Sequence, residues 1–259
     1  MGHPAAARDR NRAAEKGRGE QQLTLFEQTF FAGPCRYWGK RGGDAPGFVD
    51  APQKNVPPNI RRRLSDFART ALGTYLAAED PEDSDLIFAS RYSDMQESLK
   101  LLTELNRREL LSPTAFSTSV HNAVPGFATL IRASRSPHSG VSAGVDSFVM
   151  GLTEALTRTA FDPARPVTYL FHEAALPHEY RAHALEGSDC FTLCVSLSAR
   201  PTTLHDRAFI LSHAEPEETH AHPRGLENAR AFVRLLGDET TEARLIGTRS
   251  NLWVRRVNA

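Results

Sequence analysis

The chain has 259 residues, its 31 basic side chains balance 31 acidic ones, and 40% of its residues are hydrophobic. This length suits a domain with a real core, and the balanced charge argues against a general binder of nucleic acids or of anionic membranes. No apolar run approaches the roughly 18 residues of a membrane span, and the N-terminus lacks the apolar centre of a secretory signal, so we expect a cytoplasmic protein.

The chain begins with a polar segment. Residues 1–20 are rich in Ala, Arg and Gly, which predicts a disordered tail, and one domain is expected over residues 21–259. Apolar and β-favouring residues predict a first strand over Leu23–Gly33. Frequent glycines and prolines then predict a long loop.

A helix is predicted after the proline pair that ends this loop. Apolar residues recur at helical spacing from Ile60 to Tyr75, and Asn59 is a suitable N-cap for one continuous helix. The arginine triplet Arg61–Arg63 is expected to be a solvated first turn, with contact to a partner or a carrier protein as the alternative.

The rest of the chain alternates between extended and helical patterns. Strands are predicted at Asp85–Ser90, His138–Gly144, Pro166–Ala174, Cys190–Ala199, Glu242–Gly247 and Asn251–Arg256. Helices are predicted at Asp94–Glu109, Val145–Ala160 and Arg224–Gly237, and Pro125 with Gly126 argues against a long helix over Leu111–Gly126. This alternation predicts a layered α/β domain, with a mixed sheet of five or more strands flanked by helices.

Two motifs in the middle of the chain are specific. "SPTAFSTSVHN" starts at Ser112-Pro113 and ends at Asn122, and "AGVDSF" covers residues 143–148. Their spacing resembles that of the β-ketoacyl synthases of the thiolase superfamily. From about Leu23 to Arg256, the chain is similar to the short β-ketoacyl synthase-like N-terminal family of chain-length-factor-like proteins. The resemblance implies a thiolase-like half-domain and a role in fatty-acid, polyketide or aryl-polyene-type synthesis.

The same register identifies an elbow without a nucleophile. It places Ala143-Gly144-Val145 on the Thr-Ala-Cys of the synthases, so Val145 stands where they carry cysteine. Valine can neither attack a thioester nor be activated. The second-half histidine motifs that the resemblance implies have no match in the chain after Ala199. We therefore expect a non-catalytic protein without cofactor or metal, and a vestigial elbow made of Gly144, Val145, Asp146 and Ser147.

Half of a thiolase-like fold is expected to leave an apolar face that a partner covers. The partner would be an active ketosynthase or a second copy of the chain, with acyl carrier protein as another candidate. The resemblance implies that the segment from His138 to Ala143 pairs with a partner strand. The candidates for contact with the partner or its pocket are Phe116, Thr118, His121, Asn122, His138, Val141 and Phe148.

Some residues allow other interpretations. Asp146 could be the nucleophile of an acyl-thioester hydrolase or transferase, but the favoured interpretation is a cap on the first turn of the following helix. His121 beside Asn122 favours a buried, hydrogen-bonded structural pair. A scaffold that binds acyl carrier protein without affecting product length is a third alternative.

Histidines and cysteines are the other candidates for reactive sites. His213, His220 and His222 near three glutamates could bind a metal, but the spacing favours a polar loop. The three cysteines, at positions 35, 190 and 194, are expected to be reduced packing residues.

Overall fold

The computed structural model describes residues 24–39, 42, 46–78, 83–183, 189–214, 225–248 and 251–257, so the predicted tail lies outside the described residues. The strands are β1 (Thr24–Ala32), β2 (Arg36–Gly39), β3 (Asp85–Ala89), β4 (His138–Val141), β5 (Val167–Glu173), β6 (Phe191–Ser198), β7 (Arg207–Ala214), β8 (Glu242–Ile246) and β9 (Asn251–Arg256). The α-helices are α1 (Pro58–Arg61), α2 (Asp66–Leu76), α3 (Met95–Asn106), α4 (Pro113–Ser119), α5 (Ala123–Arg132), α6 (Ser147–Phe161) and α7 (Gly225–Leu236). Short 3-10 helices lie at Pro52–Asn55, Gly144–Asp146 and His178–His183.

The described strands form one nine-stranded sheet in the order β4-β3-β5-β6-β1-β7-β9-β8, with β2 paired to β6. β3 runs parallel to both β4 and β5, and the other described pairs are antiparallel. The α/β class and a mixed sheet of more than five strands are therefore confirmed. Two observed strands, β2 and β7, have no counterpart among the predicted strands. β2 is a short run inside a Gly- and Pro-rich segment, which predicts a loop.

Helices cover the sheet on both faces. Alternate residues of β3 belong to two separate cores, since Phe88 packs with α2 and α5 while Ile87 packs with α6 and α7. Side chains of a strand point to opposite faces in turn, so the two helix pairs lie on opposite faces of the sheet. The elbow connects β4 to α6 and therefore lies at the carboxyl end of β4. The parallel strands β3 and β5 end at the same edge of the sheet.

Elements from the C-terminal quarter of the chain pack on α6. α7 packs on α6, where the rings of Phe148 and Phe232 lie 6.0 Å apart and are both fully buried. Strands β7 and β9 add Phe209, Leu211 and Val254 to the same core. The α7 helix and strands β7 to β9 therefore cover this side of α6 within the chain.

Two helix boundaries also differ from those expected. The helix predicted from Asn59 is interrupted after α1, and α2 begins again with Ser65 as N-cap, whose hydroxyl accepts from the Ala68 N–H at 3.2 Å. Pro125 lies in the first turn of α5, where its missing N–H removes no helical hydrogen bond. The break instead falls between α4 and α5, at residues 120–122.

Candidate functional site

The elbow is a tight turn whose polar groups bond to one another. Gly144 has φ of +59°, in the left-handed region that favours glycine. Ser147 donates its hydroxyl proton to the Gly144 carbonyl at 2.7 Å and accepts from the Ala143 N–H at 3.0 Å. The Ser147 hydroxyl is buried, and its two hydrogen bonds stabilise the turn.

Val145 is half-buried at the tip of the elbow, against the start of α7. A Cβ added to Gly225 would lie 3.2 Å from the Val145 carbonyl oxygen and 3.4 Å from Nη2 of Arg91. The α7 backbone therefore approaches the elbow so closely that only a residue without a side chain fits there easily.

Asp146 has a different partner from the one expected. It stands at the N-cap position of α6, but its side chain makes no capping bond to the helix. Its carboxylate oxygens instead accept the Thr248 N–H at 3.0 and 3.1 Å, and they accept the Thr248 hydroxyl as well. The predicted cap is therefore wrong. Thr248 comes from the turn after β8, and no local sequence signal connects it with the elbow.

His121 and Asn122 occupy different environments. The His121 ring packs on Phe88 at 5.1 Å, and its Nε2 lies 3.2 Å from the Ser90 carbonyl oxygen. Burial lowers the pKa of His121 below its usual 6.5. Asn122 is exposed and His121 is half-buried, so the predicted buried pair is wrong, although His121 is hydrogen-bonded as expected.

The other partner candidates divide into surface and core residues. Phe116 on α4 is 62% exposed, His138 on β4 is exposed and Val141 is half-buried. Thr118 is buried and donates its hydroxyl proton within α4. Phe148 is fully buried in the core, so the expectation that it faces a partner is wrong.

Exposed apolar side chains are concentrated in the segment that contains α3 and α4. α3 and α4 form a hairpin that packs loosely on the domain, and of the described residues of α3 Leu101 alone is buried. Its exposed apolar side chains, here called the hairpin surface, are Leu102, Leu105, Leu110, Leu111, Phe116 and Val120. α5 follows α4 in the chain and contacts both α4 and β4. It therefore lies between the hairpin and β4.

A cavity of about 940 Å³ lies where α2, α3 and α4 begin. The exposed Arg62 and Arg63 stand at its side, and Phe67 and Leu176 supply apolar lining. Asp94, which is 3% exposed, lines it and caps α3 through the Glu97 N–H at 3.1 Å. Burial raises the pKa of Asp94 above its usual 3.8. The residues that line this cavity come from separate segments, so no local sequence pattern predicts it.

Other predicted groups can also be located. His213 lies on β7, whereas His220, His222 and their glutamates fall outside the described residues. Over the part of the chain that the structure describes, no group of three or more His, Cys, Asp or Glu residues could hold a metal ion. Cys35, Cys190 and Cys194 are free thiols, and burial raises the pKa of Cys35 to about 11. None of the helices among the described residues has the length and apolar character needed to cross a membrane.

Comparison with known proteins gives a consistent result. The family described as "Beta-ketoacyl synthase, N-terminal domain" matches residues 37–254. No curated protein sequence matches the chain. Among solved structures, the ketosynthase (ApeO) in complex with its chain length factor (ApeC) from Xenorhabdus doucetiae gives a TM-score of 0.65 at 21% identity, over 90% of this chain and 100% of that chain.

Two more distant structures share the fold. The ishigamide ketosynthase/chain length factor gives a TM-score of 0.52 at 12% identity, over 73% of this chain and 59% of that chain. The AntDE:AntF complex, a type II PKS acyl-carrier protein with its ketosynthase bound to the hexaketide, gives 0.52 at 10% identity, over 78% and 72% of the two chains. The expected thiolase-like fold is confirmed.

Proposed function

Because this chain belongs to the β-ketoacyl synthase N-terminal domain family, we propose that it is a non-catalytic, chain-length-factor-like protein that assists a ketosynthase. Its pathway would be fatty-acid or polyketide synthesis, with aryl-polyene-type products as the narrower assignment. The observation that carries the proposal is Val145, which occupies the tip of a well-formed elbow where the synthases carry their cysteine.

The neighbours of Val145 offer no substitute nucleophile. The Ser147 hydroxyl is bonded inside the turn, and the Asp146 carboxylate accepts hydrogen bonds from Thr248. Covalent catalysis needs a nucleophile that an adjacent base or a lowered pKa activates. The elbow retains a structural role, since it joins β4 to α6 and contacts the start of α7.

A ketosynthase partner is supported by the exposed surface beside the elbow. β4 presents an edge to which another strand can add, and the hairpin surface presents apolar side chains beyond α5. Exposed apolar patches of this kind typically mark protein interfaces. Structures with the same fold include a ketosynthase in complex with its chain length factor. A homodimer through the same surface is the competing outcome.

Phe116 is our candidate for the residue that limits product length. Its large, rigid side chain projects from α4 next to the proposed interface, so it could close the end of a partner's acyl pocket. We expect the pair formed by Phe116→Ala and the ketosynthase encoded nearest to this chain to make longer products than the natural pair. Mass spectrometry of products from co-expressed proteins measures this.

The matched control is Leu204→Ala, which truncates a fully exposed apolar side chain outside the hairpin surface and should leave product length unchanged. Complex formation is measured separately by size-exclusion chromatography with light scattering. A chain that stays monomeric with and without the ketosynthase would contradict the proposed function. A stable complex whose product length ignores Phe116 would contradict only the role of that residue.

Acyl carrier protein is a second candidate partner, which the cavity beside α2 favours. Arg62 and Arg63 are exposed at this cavity, whereas Arg69 and Lys100 there form ion pairs with Asp66 and Glu97. Carrier proteins are acidic, so such a surface would attract them, more strongly at low salt. A scaffold of this kind would bind carrier protein without changing product length, and the Phe116→Ala comparison separates it from the first proposal.

A further inference from the structure

β4 is a four-residue strand that would be expected to fray. Among the described strands it pairs with β3 alone, so one of its two backbone edges is open. The ladder to β3 is closed at each end, by the Leu86 N–H to the Pro137 carbonyl at 3.0 Å and by the Ser90 N–H to the Val141 carbonyl at 3.2 Å. Short segments held by few contacts open readily, so additional contacts matter for this strand.

On one face of β4, the His121 ring lies directly against Gly140. A Cβ added to Gly140 would be 2.5 Å from Nδ1 and 3.1 Å from Cε1 of His121, so a larger residue would displace the ring. The same ring contacts Phe88, which is opposite Gly140 in the ladder, and its Nε2 reaches the Ser90 carbonyl at the end of β3. His121 therefore spans the two strands.

On the other face, Arg158 of α6 holds the neighbouring residue. Ser139 accepts a hydrogen bond at 2.6 Å from Nη2 of Arg158. The guanidinium is itself fixed by Glu154 at 2.8 Å and by Asp85 at 3.4 Å. Because successive strand residues point to opposite faces, Ser139 and Gly140 place these two contacts on the two sides of β4.

We propose that His121 and Arg158 are positioning residues that hold β4 from both faces, so that its open edge is ordered before a partner strand adds to it. Neither contact uses the outward backbone edge, which stays available. Strand addition gains affinity from main-chain hydrogen bonds, and an edge that is already ordered avoids the entropy cost of fixing it on binding. The inference rests on the proposed function, because it concerns the edge through which a ketosynthase would dock.

The test uses four variants of the full chain: Ser139→Ala, Gly140→Ala, His121→Ala, and Gly140→Ala combined with His121→Ala. Ser139→Ala removes the acceptor for Arg158 and leaves both of its ion pairs, while Gly140→Ala displaces the His121 ring. Each single change should speed amide exchange in residues 138–142 and weaken binding to the ketosynthase encoded nearest to this chain, roughly five- to tenfold, the value of one lost hydrogen bond or packing contact. Ser196→Ala, at a half-buried serine of β6, is the control and should change neither.

The double variant distinguishes direct contact from general damage. If the His121 ring is the reason that Gly140→Ala disturbs β4, the added methyl should have no further effect once the ring is removed. If Gly140→Ala has the same effect in the natural chain and in the His121→Ala chain, or if amide exchange is unchanged in the single variants, the inference is overturned. Faster exchange with undiminished binding would overturn the docking role. If the natural chain does not bind the ketosynthase, the proposed function fails, and amide exchange alone decides whether β4 is held as described.

Discussion

At the scale of single residues, Asp146 illustrates how the elbow is tied to the rest of the chain. It stands at the N-cap position of α6, yet its carboxylate bonds to Thr248, which lies 102 positions later in the sequence. The side chain is only 7% exposed, so these hydrogen bonds compete little with water. The residue that most resembles a catalytic group therefore links α6 to the turn between β8 and β9.

Asp146→Asn should lower the free energy of unfolding by about 1–2 kcal/mol, because the amide nitrogen cannot accept the bond that a carboxylate oxygen accepts from Thr248. Urea denaturation followed by circular dichroism measures this change. Thr248→Ser keeps both donors and should be close to neutral. The same Asp146→Asn protein should hydrolyse acyl thioesters no differently from the natural chain. An activity that disappears on this substitution would support the alternative enzyme.

At the scale of secondary-structure elements, α3 shows a helix held mainly at its start. Its N-cap, Asp94, is buried, while most of its other side chains contact solvent. Burial disfavours the charged carboxylate, which raises the pKa of Asp94 above 3.8. A raised folded-state pKa means that this cost is absent below the ordinary pKa and is fully present once the pH exceeds the folded-state pKa.

Asp94→Asn should therefore stabilise the protein at neutral pH, since Asn caps helices as well as Asp and carries no charge to bury. Its advantage over the natural residue should shrink as the pH falls towards 3.8. Asp94→Ala removes the cap and should cost about 1 kcal/mol. Denaturation curves at several pH values for the three proteins provide the measurement. An Asn variant that is less stable than the natural chain at neutral pH would contradict the burial argument.

At the scale of the whole molecule, the chain closes its own core over α6. α7 and strands β7 to β9 occupy the side of α6 that a half-fold would expose, and Phe232 fills the centre of that contact. Among the described residues, the edge strand β4 and the hairpin surface are open to a partner. The proposed interface is thus separate from the closure of the core.

Phe232→Ala should destabilise the chain by about 3–5 kcal/mol, because it leaves a cavity against Phe148 in a fully buried site. Arg234→Ala, at an exposed position of the same helix, should change stability by less than about 0.5 kcal/mol. Thermal unfolding of the isolated chain compares the two. A Phe232→Ala protein as stable as the Arg234→Ala control would show that α7 is not part of the core.

Much of the fold could be predicted from the sequence because its signals are local. Alternating and helical patterns located β3, β5, β6 and α6, and the two motifs identified the family and the elbow with Val145 at its tip. Interruptions were harder to predict. Ser65 caps a helix and Pro125 is tolerated in a first turn because of where each helix begins. Apolar spacing alone predicts the start of a helix only to within a residue or more.

The sequence by itself determined the class of the fold and the family, since each depends on residue types at short spacing. Only the tertiary structure decided that α7 and strands β7 to β9 cover α6, that Phe148 lies in the core, that Asp146 bonds to Thr248, and that His121 contacts β4. These contacts join residues far apart in the chain. Packing across the whole molecule decides which residues form these contacts, and such packing produces no periodic pattern in the sequence.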